Sequence, residues 1–195
     1  MKVLDVPYYY QIDNPSGEGS RECCGTSNAA MLNFVTGNSL NKEAIRLGID
    51  QPEQIYLDRL RDYGDTTDHG ANTRCLSSFG VESQWYTNLT TNDFMKSIDC
   101  KIPMVLGLIY KRHGHVPLGI GYQLEARNKP WLAYINDPNG SRDGFSDNWL
   151  SNEPLAGKRD IYSQETFQAV WQGFSGNGWG RLVFKVNGIP TGLKA

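Results

Sequence analysis

Residues 20–34, SRECCGTSNAAMLNF, set two adjacent cysteines in front of a glycine and of what reads as the first turns of a helix. A thiol attacks only as its thiolate, and a helix amino terminus favours that form by placing partial positive charge and unpaired N–H groups beside the sulfur. Cys24 stands at such a position. Gly25 after it allows close backbone approach, and amides of the first turn could hydrogen-bond the oxyanion formed when sulfur adds to a carbonyl. Taken alone, the stretch fits equally well a small buried residue that pins a helix start.

Such a thiol needs a base. Of the three histidines, His115 falls at the start of an expected strand in HGHVPLGIGYQ, and WLAYINDPNG brings Asp137 to the end of the next strand. In an antiparallel hairpin those two ends meet, and residues 115 and 137 are opposite if the pairing centres on 126. The turn residues centre nearer 128, so a bulge or a small register offset is expected. Asp137 would then accept a hydrogen bond from one imidazole nitrogen and leave the other to take the thiol proton. Either residue by itself reads more simply, His115 as a strand residue and Asp137 as a turn former before Pro138. Helix start, strand start and strand end together indicate a catalytic set.

The elements that must hold these groups follow from periodicity and punctuation. A short strand within residues 1–10 is broken by Pro7, and 13–22 is a loop by composition. Helices are expected at 25–35, 42–47, 52–63, 71–79, 91–98 from a Thr cap, and 166–174. Strands are expected at 81–86, 104–110, 116–124, 131–136 and 182–186, with 126–130 as the hairpin turn and 138–160 as a polar loop. Helices dominate the first half and strands the second, which indicates an α+β fold in one domain over 1–195.

Composition narrows the function class. The 195 residues are 39% hydrophobic and 21% charged, with net charge −2 and scattered basic residues, which speaks against a nucleic-acid partner. Apolar runs are far shorter than a membrane span, and the MKVLDVPYYYQ start lacks a signal-peptide core, so a cytoplasmic, monomeric protein with no transmembrane segment is expected. Four cysteines in that compartment read as free thiols, and with no C-x-x-C or H-x-x-x-H spacing neither a metal nor another cofactor is expected. DPNGSRDGFSDN (137–148) has the alternating oxygens of a calcium loop, but Arg142 stands where that turn needs glycine, and Asn148 where it needs glutamate. His69 and His113 have no evident partner and read as surface or loop residues; Trp131, Trp149, Trp171 and Trp179 are left unassigned between core and groove.

The segments VPYYYQ (6–11), CGTSNAAML (24–32), GHVPLGIGY (114–122) and NDPNG (136–140) occur in that order. Together they resemble the C39-like branch of the papain-like cysteine peptidases, whose members carry VPYYxQ, CGPTS, GHxxxxxGY and NDPxG. The resemblance implies a papain-like fold with the nucleophile at a helix start packed on an antiparallel sheet. It implies Cys24 as nucleophile, His115 as general acid and base, Asp137 as its orienter, and Gln11 as side-chain donor of the oxyanion hole. Gln11 reads otherwise as a strand-end residue bonded to backbone. Thr26 replaces the usual proline after Cys-Gly, and Cys23 is an extra thiol that reads as packing. The implied reaction is amide hydrolysis of a peptide or peptidoglycan substrate, foremost as a cell-wall endopeptidase of phage-endolysin type. Leader-peptide or other protein processing, peptidyl transfer, and non-catalytic binding on the same scaffold are the alternatives.

Overall fold

The computed structural model describes residues 1–16, 18–110, 113–124, 131–142, 149–151, 153–172 and 176–194. Strand β1 is only Lys2–Val3, and Pro7 lies in the irregular segment after it. Short 3-10 turns at Gln11–Asp13 and Gly19–Arg21 fold the next loop back on itself. Asn14 Nδ2 donates across that loop to the buried Glu22 carboxylate at 2.8 Å and to Thr26 Oγ1 at 3.2 Å.

Helix α1 runs Cys23–Val35 and so starts two residues before the expected position, enclosing both cysteines in its first turn. Cys24 through Asn33 are all buried. A helix covered on every side carries little amphipathic signal to mark its start. Then come α2 (Ser39–Leu47), α3 (Glu53–Arg61), α4 (His69–Ser78), β2 (Val81–Leu89) and α5 (Thr91–Asp99). The Thr cap of α5 is a full capping box with Asp93, which satisfies two otherwise orphan N–H groups. The chain continues through β3 (Met104–Tyr110), β4 (His113–His115), β5 (Leu118–Gln123), β6 (Leu132–Asn136), β7 (Ser141–Arg142) and β8 (Trp149–Ser151). It ends with β9 (Asp160–Ser163), α6 (Gln164–Trp171), β10 (Gly178–Val186) and β11 (Ile189–Pro190).

The main sheet is antiparallel in the order β11-β10-β3-β5-β6-β9, with β2 against β10, β4 against β3 and β1 against β5. This is the α+β arrangement expected, with one correction to the hairpin. The expected strand from 116 is the shorter β5, and His115 is not at its start but on the separate β4, opposite Leu108 of β3, while β5 pairs β6 from Leu118↔Asn136 to Gln123↔Leu132. Pro117, with no N–H to give, falls at the break. The pairing centres on 127 and carries an irregularity between Gly119 and Gly121, the offset that the turn residues required. Residues 125–130 and 143–148 lie outside the described residues, and with them the expected turn and half of the calcium-like loop.

α1 and the sheet share one apolar core. On one side Phe94, Trp131, Phe167 and Trp171 pack ring to ring at 5.1–6.3 Å, which makes Trp131 and Trp171 core residues. Removing a ring as buried as Phe167 costs about 3–5 kcal/mol.

Candidate functional site

His115 is buried, and its Nε2 lies 2.7 Å from Asp137 Oδ1. The sheet makes this meeting: β4 holds the histidine on β3, and Asp137 follows the last residue of β6. Asp137 is fully buried and fixed from four directions. Its Oδ1 also accepts from Asn139 N (3.0 Å), its N donates to Gly157 O (2.9 Å), its carbonyl accepts from Tyr8 Oη (2.8 Å), and the next carbonyl, of Pro138, accepts from Gln11 N (2.8 Å). A Cβ on Gly157 would sit 2.1 Å from the Asp137 carbonyl, so this contact requires glycine.

The thiol within hydrogen-bonding reach of His115 is that of Cys23. Because Nε2 is engaged by Asp137, the opposite ring nitrogen is the one left for sulfur. Ser27 Oγ, one turn along α1, donates to Val116 O at 2.7 Å and so ties the helix to the end of β4. Burial alone would favour a neutral ring, but the charge and hydrogen bond of Asp137, with Cys23 beside it, raise the imidazole to about 10. The direction of the shift favours the protonated ring.

Cys24 points elsewhere. Its Sγ lies 3.7 Å from His69 Nδ1 and 3.5 Å from Asn28 Nδ2, and it is 1% exposed. Burial, with Cys23 nearby, pushes this thiol up to about 12 despite an opposing pull from Arg181. Successive residues of a helix are turned by about 100°. One thiol therefore faces the β4 histidine and its neighbour faces α4. Gly25, read as allowing close approach to the site, instead packs on α3, where a Cβ would meet Leu57 Cδ2 at 2.5 Å.

His69 corrects the reading of it as partnerless. It opens α4, stacks on Trp85 with ring centroids 3.5 Å apart, and its carbonyl accepts from Nη2 of the fully buried Arg181 at 2.9 Å. Burial and Arg181 lower it to about 4, so this ring is neutral. No local pattern in the sequence marks the contact, because it forms across 45 positions through the packing of α4 on α1. The side chain of His113 lies outside the described residues.

Gln11 is 1% exposed, with Nε2 donating to Gly19 O at 2.6 Å and Oε1 unpartnered. Its backbone is joined to the turn that carries Asp137, so the loop does return to the site's neighbourhood. Among the described residues no group of three or more His, Cys, Asp or Glu side chains converges to hold a metal ion, and Asp137 of the calcium-like loop has one oxygen committed to His115 and Asn139.

A buried carboxylate, an imidazolium and a thiol at a helix start, placed on an antiparallel sheet, form the layout of a cysteine peptidase. Residues 3–178 match the family model described as Peptidase_C39 like family. The chain belongs to that family. A search of curated proteins returns no match. Among solved structures, the peptidase domain of Streptococcus ComA, a bi-functional ABC transporter involved in quorum sensing, aligns at TM-score 0.50 and 17% identity over 90% of this chain and 96% of that one. A double-glycine motif protease from an AMS/PCAT transporter, solved with its leader peptide, aligns at TM-score 0.46 and 15% identity over 93% and 92%. UfSP from C. elegans aligns at TM-score 0.55 and 8% identity over 92% of this chain and 33% of that one. The C39-like chain thus has the papain-like α+β fold. No helix among its described residues is long and apolar enough to cross a membrane.

Proposed function

We propose that the protein is a cysteine endopeptidase in which Cys23 is the nucleophile, His115 the general acid and base, and Asp137 the residue that orients and charges the imidazole. The observation that carries this is the continuous chain from buried Asp137 through the 2.7 Å contact to His115 and on to the Cys23 thiol. Cys24 carries the corresponding role in the sequence motif, but its thiol is sealed against His69 and held protonated at neutral pH. Cys23 Sγ adds to the scissile carbonyl, the unpaired N–H groups of the first α1 turn meet the oxyanion, and His115 protonates the leaving amine. Water then hydrolyses the thioester with His115 as base. The second N–H of Gln11 Nε2 is the side-chain donor to the oxyanion, the first being held by Gly19.

The substrate in this reading is the peptide portion of the bacterial cell wall, cut in the manner of a phage endolysin. The four motifs resemble a branch that includes stand-alone wall-cutting enzymes beside exporter-fused leader peptidases, and the first of these is the reading taken here. The test is mass spectrometry of material released from purified cell walls by the protein and by its Cys23→Ala variant. New amino termini within stem peptides or cross-bridges, seen only with the unaltered protein, are expected. Intact walls alongside cleavage of a double-glycine leader peptide would overturn the wall reading in favour of peptide processing.

A further inference from the structure

A second cleft, of about 300 Å³, lies beside the catalytic turn and shares Tyr8 with it. Tyr8, Tyr9 and Tyr10 line it together with Asp13, Asp50 and Glu53, and no basic residue is among its lining residues. Glu153 is close enough to act on Tyr10 and adds a further negative charge. Glu53 is the unusual member. It is 3% exposed in the first turn of α3, and its Oε2 has no hydrogen-bond partner. A buried carboxylate oxygen with no donor costs free energy unless something supplies one.

We propose that this cleft binds a protonated primary amine of lysyl type, held by the Glu53 carboxylate against the tyrosine rings, with Asp13 and Asp50 supplying the surrounding negative charge. The chemistry of the lining selects that class. Aromatic faces attract a cation through their quadrupole, and surrounding carboxylates supply acceptors for its three N–H donors. The volume suits one side chain of this size rather than a large ligand. A metal ion fits less well, since no three or more His, Cys, Asp or Glu groups of the described residues converge to ligate one, whereas an ammonium needs one close carboxylate in a negative surround. Burial and the charge of Asp13 push Glu53 up to about 7. Tyr8 joins the two sites: it lines the cleft, and its hydroxyl is bonded to the Asp137 carbonyl. Assigning the amine to a side chain of the peptide substrate rests on the peptidase reading; the binding itself does not.

Titration of the intact protein with Nα-acetyl-lysine methylamide, followed by amide NMR shifts, tests this without requiring turnover. Saturable shifts confined to residues 8–13 and 50–53 are expected, with the norleucine and Nε-acetyl-lysine analogues weaker by about tenfold or more. Glu53→Gln should weaken the lysine probe by about fivefold or more while the amide spectrum elsewhere stays that of the folded protein. Asp50→Asn, at an exposed position, should weaken it by about twofold. Equal binding of norleucine, shifts centred elsewhere, or an unchanged affinity in Glu53→Gln would overturn the proposal. Such a failure leaves the peptidase reading standing, and failure to cleave walls leaves a lysine site standing.

Discussion

Two thiol–imidazole pairs sit one residue apart at the start of α1, and their electrostatics are opposite. Cys23 meets His115, whose other nitrogen is bonded to a fully buried carboxylate; Cys24 meets His69, whose ring lies against Trp85 and whose carbonyl is bonded to buried Arg181. The first imidazole is raised to about 10 and the second lowered to about 4. His115 is buried and His69 half-buried, yet burial favours the neutral ring in both, so burial alone does not give the opposite directions. The sign of the neighbouring charge does, and only the pair with a negative third member has a cation to set against a thiolate. Proximity of sulfur to histidine is therefore not sufficient to name a nucleophile.

The strongest way to break this contrast is to remove each member in turn. Cys23→Ala should lower turnover by on the order of 10⁵-fold or more, with the thermal midpoint within about 2 °C, since its half-buried side chain fills little core volume. Activity retained in Cys23→Ala would show the two pairs assigned the wrong way round. Asp137→Asn keeps the shape of the site but removes the charge that makes the imidazole a cation, so kcat/KM should fall on the order of 10⁴-fold. In the same variant the rate of iodoacetamide labelling at Cys23 near pH 6 should drop, because His115 no longer stays protonated there. An unchanged labelling profile would mean that Asp137 is structural only.

The two histidines should also bend the stability curve in opposite directions. His115 is raised above its unfolded value, so its contribution is fully present below about pH 6.5 and is lost as pH rises through about 10. His69 is lowered, so its contribution is present above about pH 6.5 and is lost as pH falls through about 4. His69→Phe keeps an aromatic ring against Trp85 and cannot titrate. It should reduce the loss of unfolding free energy between pH 7 and 4 by on the order of 1–2 kcal/mol, the full shift being discounted because the ring is partly solvated. Denaturant melts at the two pH values measure this, and parallel curves for variant and parent would remove His69 from the contrast.

How much of this was legible in the sequence depends on the range of the contact. His115 and Asp137 could be paired because antiparallel register has a period of two, and an offset of one or two pairs still brings the strand ends together. The thiol could not be assigned with the same ease. On a helix one residue of uncertainty in the start is about 100° of direction, and α1 begins at Cys23 rather than Gly25. Cys-Gly makes Cys24 the residue of the motif, while the thiol that faces His115, and that is proposed as nucleophile, is Cys23. The helices of the first half were visible where one face is apolar, as in α2 and α5, and shifted where the helix is buried all round. His69 and Arg181 were invisible because their partners lie 45 and 112 positions away in sequence, joined only after α4 packs on the sheet.

The smallest expected effect is at Cys24, and it bears most directly on the comparison. Cys24→Ala deletes a buried sulfur that touches His69 and Asn28, so it should cost about 1 kcal/mol of stability through lost contacts and a small void. Because His115 and Asp137 are untouched, kcat should change by less than about threefold. Labelling adds an independent readout: in the unaltered protein, brief iodoacetamide treatment at pH 7 should modify Cys23 and leave Cys24, whose thiol lies near 12 and has almost no exposed surface. Modification at Cys24 first, or loss of all turnover in Cys24→Ala with the fold intact, would mean that α1 rotates in solution to bring the other thiol to His115. In that case Ser27, which bonds Val116 O and sets the rotation of the helix, would be the contact to break next.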